Sequence, residues 1–128
     1  MKTRIEFIRA PIVPPAAGFS TPEIGAGLEF SGLVRELENG GQVPGLHYEA
    51  YEPMARAQLE QIIQELGVKH PCEEILLVHR LGFVPVGEAS LFVRIGSRHR
   101  QAGLAFMGEL IDRLKADVPI WKRVGKPR

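Results

Sequence analysis

The chain of 128 residues reads as a mixed α+β domain, with elements in the order β, β, β, α, β, β, α. Three observations predict it. Several short runs alternate apolar and polar residues, as half-buried strands do. Two longer segments space their apolar residues at i, i+3, i+4 and i+7, as a helix with one buried face requires. Glycine and proline clusters separate these runs. The length fits one domain around one core, with residues 1–24 as an N-terminal strand and proline-rich connector and residues 124–128 as a loose tail.

Lys2 to Ile8 sets Ile5, Phe7 and Ile8 against Thr3 and Glu6, which predicts a strand. Pro11, Pro14, Pro15 and Gly18 make an extended connector, and Thr21-Pro22 predicts a short helical turn with Thr21 as its cap. Gly25 to Arg35 alternates again. Glu36 to Gly45 is polar and contains Asn39-Gly40-Gly41, so a flexible loop between strands is expected. Leu46 to Tyr51 is the third strand. Pro53 opens a helix whose apolar face is Leu59, Ile62, Ile63 and Leu66, with Gly67 as its C-terminal cap. Glu74 to His79 is an apolar run of strand length, expected to be buried. Leu81 to Gly87 is punctuated by glycine and proline, and Glu88 to Ile95 is a strand with two distinct faces. The last helix runs from about Arg98 to Asp117 on a stripe of Leu104, Met107, Ile111 and Leu114. Pro119 ends it, and the chain continues extended through Trp121.

Composition narrows the function. The formal net charge is +1, so no global field points to nucleic acid or to an acidic membrane surface. A small RNA-binding domain is disfavoured further because no platform of interleaved aromatic and basic residues is visible. The single cysteine, Cys72, can form no disulfide within the chain, and no nucleophile signature surrounds it. No apolar run reaches transmembrane length, and the N-terminal stretch lacks the apolar centre of a signal peptide, so a cytoplasmic protein is expected. His47, His70 and His79 lack metal-site spacing, so no metal is expected. No P-loop, dinucleotide fingerprint or nucleophile elbow is present.

The chemical signal is a set of cations: Arg35, His99, Arg100, Lys115 and Lys122. His99 and Arg100 stand at the predicted start of the last helix, where unpaired N–H groups favour an anion. Lys115 and Lys122 flank Pro119, where helix gives way to extended chain, so both ammonium groups can turn toward one pocket. Phe30 and Trp121 are candidate aromatic walls for a ring. Taken by spacing alone, such cations more commonly form a solvated face. The functional meaning is a pocket for a phosphorylated small molecule.

Whole stretches then resemble a known family. FSGLVR (Phe30 to Arg35), LHYEAYEPMA (Leu46 to Ala55), VHRLGFVPVGEAS (Val78 to Ser90), GSRHR (Gly96 to Arg100) and LKADVPIWKR (Leu114 to Arg123) are similar to the MoaE family, the large subunit of molybdopterin synthase. The resemblance implies an α/β-hammerhead-like domain with a mixed sheet and two main helices. It implies a central homodimer binding two copies of a ubiquitin-like sulfur carrier of the MoaD type, a heterotetramer. The carrier's C-terminal thiocarboxylate would give sulfur to cyclic pyranopterin monophosphate, forming the molybdopterin dithiolene with no metal or redox cofactor. By position, Lys115 and Lys122 match the catalytic lysines. His99 and Arg100 match the pair at the substrate anion. Leu33, Val34 and Arg35 match a substrate wall, and the segment after Trp121, with Arg123 and Val124, completes the pocket. Lys115 would stabilise an oxyanion, move protons or form a transient acyl bond; the sequence leaves these open. The carrier's docking surface is expected to include an exposed apolar patch.

The chain departs from that pattern in three places. Val124 stands where members often have Glu. The loop after Arg35 reads ELENGG, and a longer basic C-terminal tail is lacking, for which Lys126 or Arg128 would have to substitute. These departures keep a second reading in view: a non-catalytic binder of the carrier or of a pterin phosphate.

Overall fold

A computed structural model describes residues 1–38 and 40–125. Its elements are β1 (Lys2–Ile8), β2 (Ala26–Leu33), β3 (Leu37–Glu38), β4 (Gly41–Gln42), β5 (Gly45–Ala50), α1 (Glu52–Lys69), β6 (Glu74–Arg80), β7 (Gly82–Pro85), β8 (Ala89–Ser97), α2 (Arg100–Asp117) and β9 (Ile120–Val124). They form a mixed α+β fold. One sheet has the order β1-β6-β8-β2, with β1 and β6 parallel and the remaining pairs antiparallel. A second, antiparallel sheet has the order β7-β5-β9, and β3 and β4 make a small ribbon by themselves.

The core lies between the two helices and one face of the four-stranded sheet. Leu59, Ile63 and Leu66 of α1 and Phe106, Leu110 and Leu114 of α2 pack there with Ile75, Leu77, Val93 and Ile95. Each such side chain contributes about 1.5–3 kcal/mol by leaving water. The opposite face of β8 is also covered, because the proline-rich connector crosses it. Phe19 lies against Gly27 and Gly96, the Arg94 guanidinium stacks on the Phe19 ring at 4.2 Å, and Arg94 donates to the Ala17 carbonyl at 2.8 Å. The two predicted faces of β8 are therefore both largely buried. The connector is a strap over the sheet.

Several local expectations are corrected. Thr21 makes no helix. Its hydroxyl accepts from the Glu23 N–H at 3.3 Å in a turn, and Gly25 is already bonded to Ser97 beside β2. Gly67 does not cap α1. The helix runs on to Lys69 and stops at His70, whose N–H bonds the Leu66 carbonyl, because Pro71 excludes helical backbone in the residue before it. The polar loop after Arg35 contains the β3–β4 hairpin, although Asn39 at its tip lies outside the described residues. The buried stripe of α2 is turned from the predicted one. Gly103, Phe106, Met107, Leu110 and Leu114 are buried, Ile111 is only half-buried, and Leu104 is 58% exposed. Gly103 explains the turn, since a Cβ there would come within 2.6 Å of Leu28 and 2.7 Å of Ser97. The helix docks on its glycine row. Val124 and Gly125, expected in a loose tail, are held: Val124 pairs with Leu46 and the buried Gly125 donates to the Gly45 carbonyl. Lys126 and Arg128 lie outside the described residues.

Candidate functional site: a cationic cleft at the end of helix α2

A cleft of about 490 Å³ opens where the end of β2, the C-terminal turn of α2 and the second sheet meet. Arg35, Lys115 and Lys122 all line it, and so do Phe30 and Trp121. Three of the five predicted cations and both candidate aromatic walls are thus brought to one place.

Local structure explains each position. Pairing between β2 and β8 shifts register at Gly32/Leu33, where the strand leaves the sheet. Val34 is then held by two backbone bonds, its N–H to the Glu88 carbonyl and its carbonyl to the Gly87 N–H. Its side chain is buried with Leu46 and Val84, which leaves Leu33 and Arg35 exposed on the cleft wall. Lys115 sits in the last turn of α2, where the helix dipole favours a cation, and its buried neighbour Leu114 anchors that turn. Val118 adopts extended backbone and Pro119 allows no further turn, so Lys122 arrives on β9 opposite Tyr48. The Lys122 ammonium lies 3.4 Å from the Glu38 carboxylate of the hairpin.

The floor of the cleft holds residues that the sequence did not single out. His79, 3% exposed, stands at the end of β6. Its Nδ1 bonds the Arg80 carbonyl at 2.9 Å. A carbonyl only accepts, so Nδ1 carries the proton and Nε2 is left as an acceptor. Tyr48 packs edge-on against the ring at 5.2 Å between centroids. Burial pulls the His79 pKa below the ordinary histidine value, so the ring is neutral at pH 7. Ser90 also faces the cleft and donates to the Gly32 carbonyl. The signal for His79 was a polar residue ending an apolar strand run. Tyr48 lies in the family-like stretch LHYEAYEPMA and His79 in VHRLGFVPVGEAS, but their meeting beside the cations depends on two sheets coming together.

The other predicted residues are elsewhere. His99 and Arg100 are exposed at the start of α2. Fifteen residues of helix separate Arg100 from Lys115, roughly 22 Å along the axis, so one chain does not join them in one cleft. The start of α2 has no side-chain cap and no acidic residue in its first turn, while Ser97 Oγ donates to the His99 carbonyl at 2.7 Å. Arg98 is spent on Glu23 and Glu73. Arg123 pairs with Glu49 at 3.5 Å, and Val124 lies further along β9; neither is among the cleft's lining residues. Among the described residues, no three His, Cys, Asp or Glu side chains converge to hold a metal ion, and no helix is long and apolar enough to cross a membrane.

A family model described as MoaE protein matches residues 10–117 of the chain. The chain belongs to the MoaE family. The matched stretch contains Arg35, His99, Arg100 and Lys115 and stops before Lys122. The molybdopterin synthase catalytic subunit of Homo sapiens is 44% identical over 103 residues, 80% of this chain and 55% of that protein. The protein of the same description from Arabidopsis thaliana is 45% identical over 104 residues, 81% of this chain and 52% of that protein. This MoaE-family chain therefore spans about half the length of the curated relatives it matches. A crystal structure of molybdopterin synthase from Staphylococcus aureus superposes with a TM-score of 0.80 at 32% identity, covering 91% of this chain and 87% of that one.

Proposed function

We propose that this MoaE-family chain is the catalytic subunit of a molybdopterin synthase. It transfers sulfur from a thiocarboxylated, ubiquitin-like carrier to cyclic pyranopterin monophosphate. The observation that carries this reading is the meeting of Arg35, Lys115 and Lys122 in one cleft with aromatic walls. Such a cleft suits a ring bearing a phosphate: the cations take the anion, while Phe30 and Trp121 take the ring. Sulfur transfer from a held C-terminus is chiefly a positioning task, with negative charge on the phosphate and on the acyl oxygen to be met by fixed cations. Lys115 and Lys122 are the groups for that charge.

The carrier docks at the mouth of the cleft. Leu33 and Trp121 on the wall and Leu37 on the hairpin are exposed apolar side chains, the kind of centre an interface desolvates.

The active form is a homodimer. His99 and Arg100 are exposed and lie too far along α2 to reach the cleft of their own chain. Their role at the substrate anion then falls to a second copy, which brings the uncapped start of its α2 to the cleft.

The test is to mix the protein with a thiocarboxylated carrier and cyclic pyranopterin monophosphate and to measure dithiolene formation. The proposal predicts product from wild type and near-loss with Lys115→Ala. Carrier binding without product from wild type would favour a binding-only role.

A further inference from the structure

The cleft's three cations face one acid. Among the described residues lining it, Glu38 is the only carboxylate. It sits on the β3–β4 ribbon, which has two residue pairs and joins neither of the larger sheets. A two-stranded ribbon that small is not stable alone. Its side-chain hydrogen bond between Gln42 and Glu36 is internal. Glu38 reaches outward instead, with its side chain 18% exposed and one oxygen 3.4 Å from the Lys122 ammonium. A carboxylate in this place opposes the binding of any anion to Lys122, since the two acceptors compete for one charge.

We propose that Glu38 is a displaceable counter-ion. It holds Lys122, and with it the hairpin, when the cleft is empty, and it yields the lysine when an anionic group enters. This rests on reading the cleft as an anion site. It makes Glu38 a specificity-determining residue: a neutral ligand does not displace it, whereas an anion does and frees the hairpin. The anion is either the substrate's phosphate or the carboxyl-type terminus of the carrier, and both offer Lys122 the same charge-assisted contact.

The experiment measures binding, with no sulfur donor present. Inorganic phosphate and a peptide ending in Gly-Gly are titrated separately into wild type, Glu38→Gln and Glu36→Gln. Glu36→Gln removes the same charge from the same hairpin, but away from the cleft. The expected result is that Glu38→Gln tightens at least one probe by about three- to tenfold, while Glu36→Gln changes it by less than about twofold. The probe that tightens identifies the anion that takes Lys122. Amide exchange at residues 36–38 and 40–43 should rise when that probe is added to wild type and be already fast in Glu38→Gln. Unchanged or weaker binding of both probes by Glu38→Gln overturns the proposal while leaving the anion site standing. If neither wild type nor Glu38→Gln binds either probe, the anion site fails and this inference fails with it.

Discussion

The two ends of α2 carry similar side chains and have different surroundings. At the start, His99 and Arg100 open the helix without a side-chain cap and are exposed, while their neighbour Arg98 is held by Glu23 and Glu73. At the end, Lys115 stands at a cleft that also receives Arg35 and Lys122. Helix-end electrostatics favours an anion at the first and a cation at the second. Around the second end, β2, the β3–β4 hairpin and β9 build a cleft wall. A charge pattern along a helix therefore names candidates, and the packing of the strands around each end decides which of them share a site.

The largest expected effect falls at the built end. Lys115→Ala should lower dithiolene formation by about 10²- to 10³-fold, the usual loss when a fixed group serving developing charge is removed. Its melting temperature should stay close to wild type, because the side chain is exposed. Activity within a few-fold of wild type would break the contrast between the two ends.

Next is the helix body that spaces the two ends. Leu110 is fully buried. Leu110→Ala should cost about 2–5 kcal/mol in denaturant unfolding, the range for a large-to-small change in a packed core. A cost under 1 kcal/mol would mean that α2 does not dock on its Gly103 face.

A smaller effect concerns the cleft floor. The His79 pKa is lowered by burial from 6.5, so at intermediate pH the unfolded chain binds a proton that the folded chain does not. Stability from this group is complete above pH 6.5 and is lost as pH falls below it. Glu74 and Glu109 are also lowered, by hydrogen bonds from Ser20 and from Lys69 and His70 respectively, but from 4.5, so their loss starts only below that. Unfolding midpoints from pH 7 to 5 should fall for wild type and be flatter for His79→Gln. Parallel slopes would contradict a buried neutral imidazole.

The smallest effect is at Leu104, which the apolar pattern had placed in the core. Leu104→Ala should change stability by no more than about 0.5 kcal/mol, because the side chain is already exposed.

That last case shows what the sequence could and could not convey. The strands and both helices were legible because alternation and helical spacing report burial directly. Arg35, Lys115 and Lys122 were legible because they sit in the quoted motifs or beside a proline that fixes where the chain turns. Leu104 misled because apolar identity does not say which side of a helix meets a partner; the close approach at Gly103 settles that. The β3–β4 hairpin was hidden in a stretch with too few apolar residues to show a period. Tyr48 and His79 could not be placed, since their contact joins two sheets with no pairing between them. The separation of His99 and Arg100 from the cleft follows from the length of α2, which the sequence contained. The proposal that they serve the cleft of a second copy can be framed only once Lys115 has a location.

Subunit mixing tests the account most directly. Lys115→Ala and Arg100→Ala, each nearly inactive alone, are mixed, allowed to exchange subunits, and assayed for dithiolene formation. In a two-fold dimer whose site takes Lys115 from one copy and Arg100 from the other, half the molecules are mixed and each has one intact site. Recovery to about a quarter of wild-type activity is predicted. No recovery despite proven exchange, or full activity of Arg100→Ala alone, would contradict the claim that both ends of α2 serve one site through two copies.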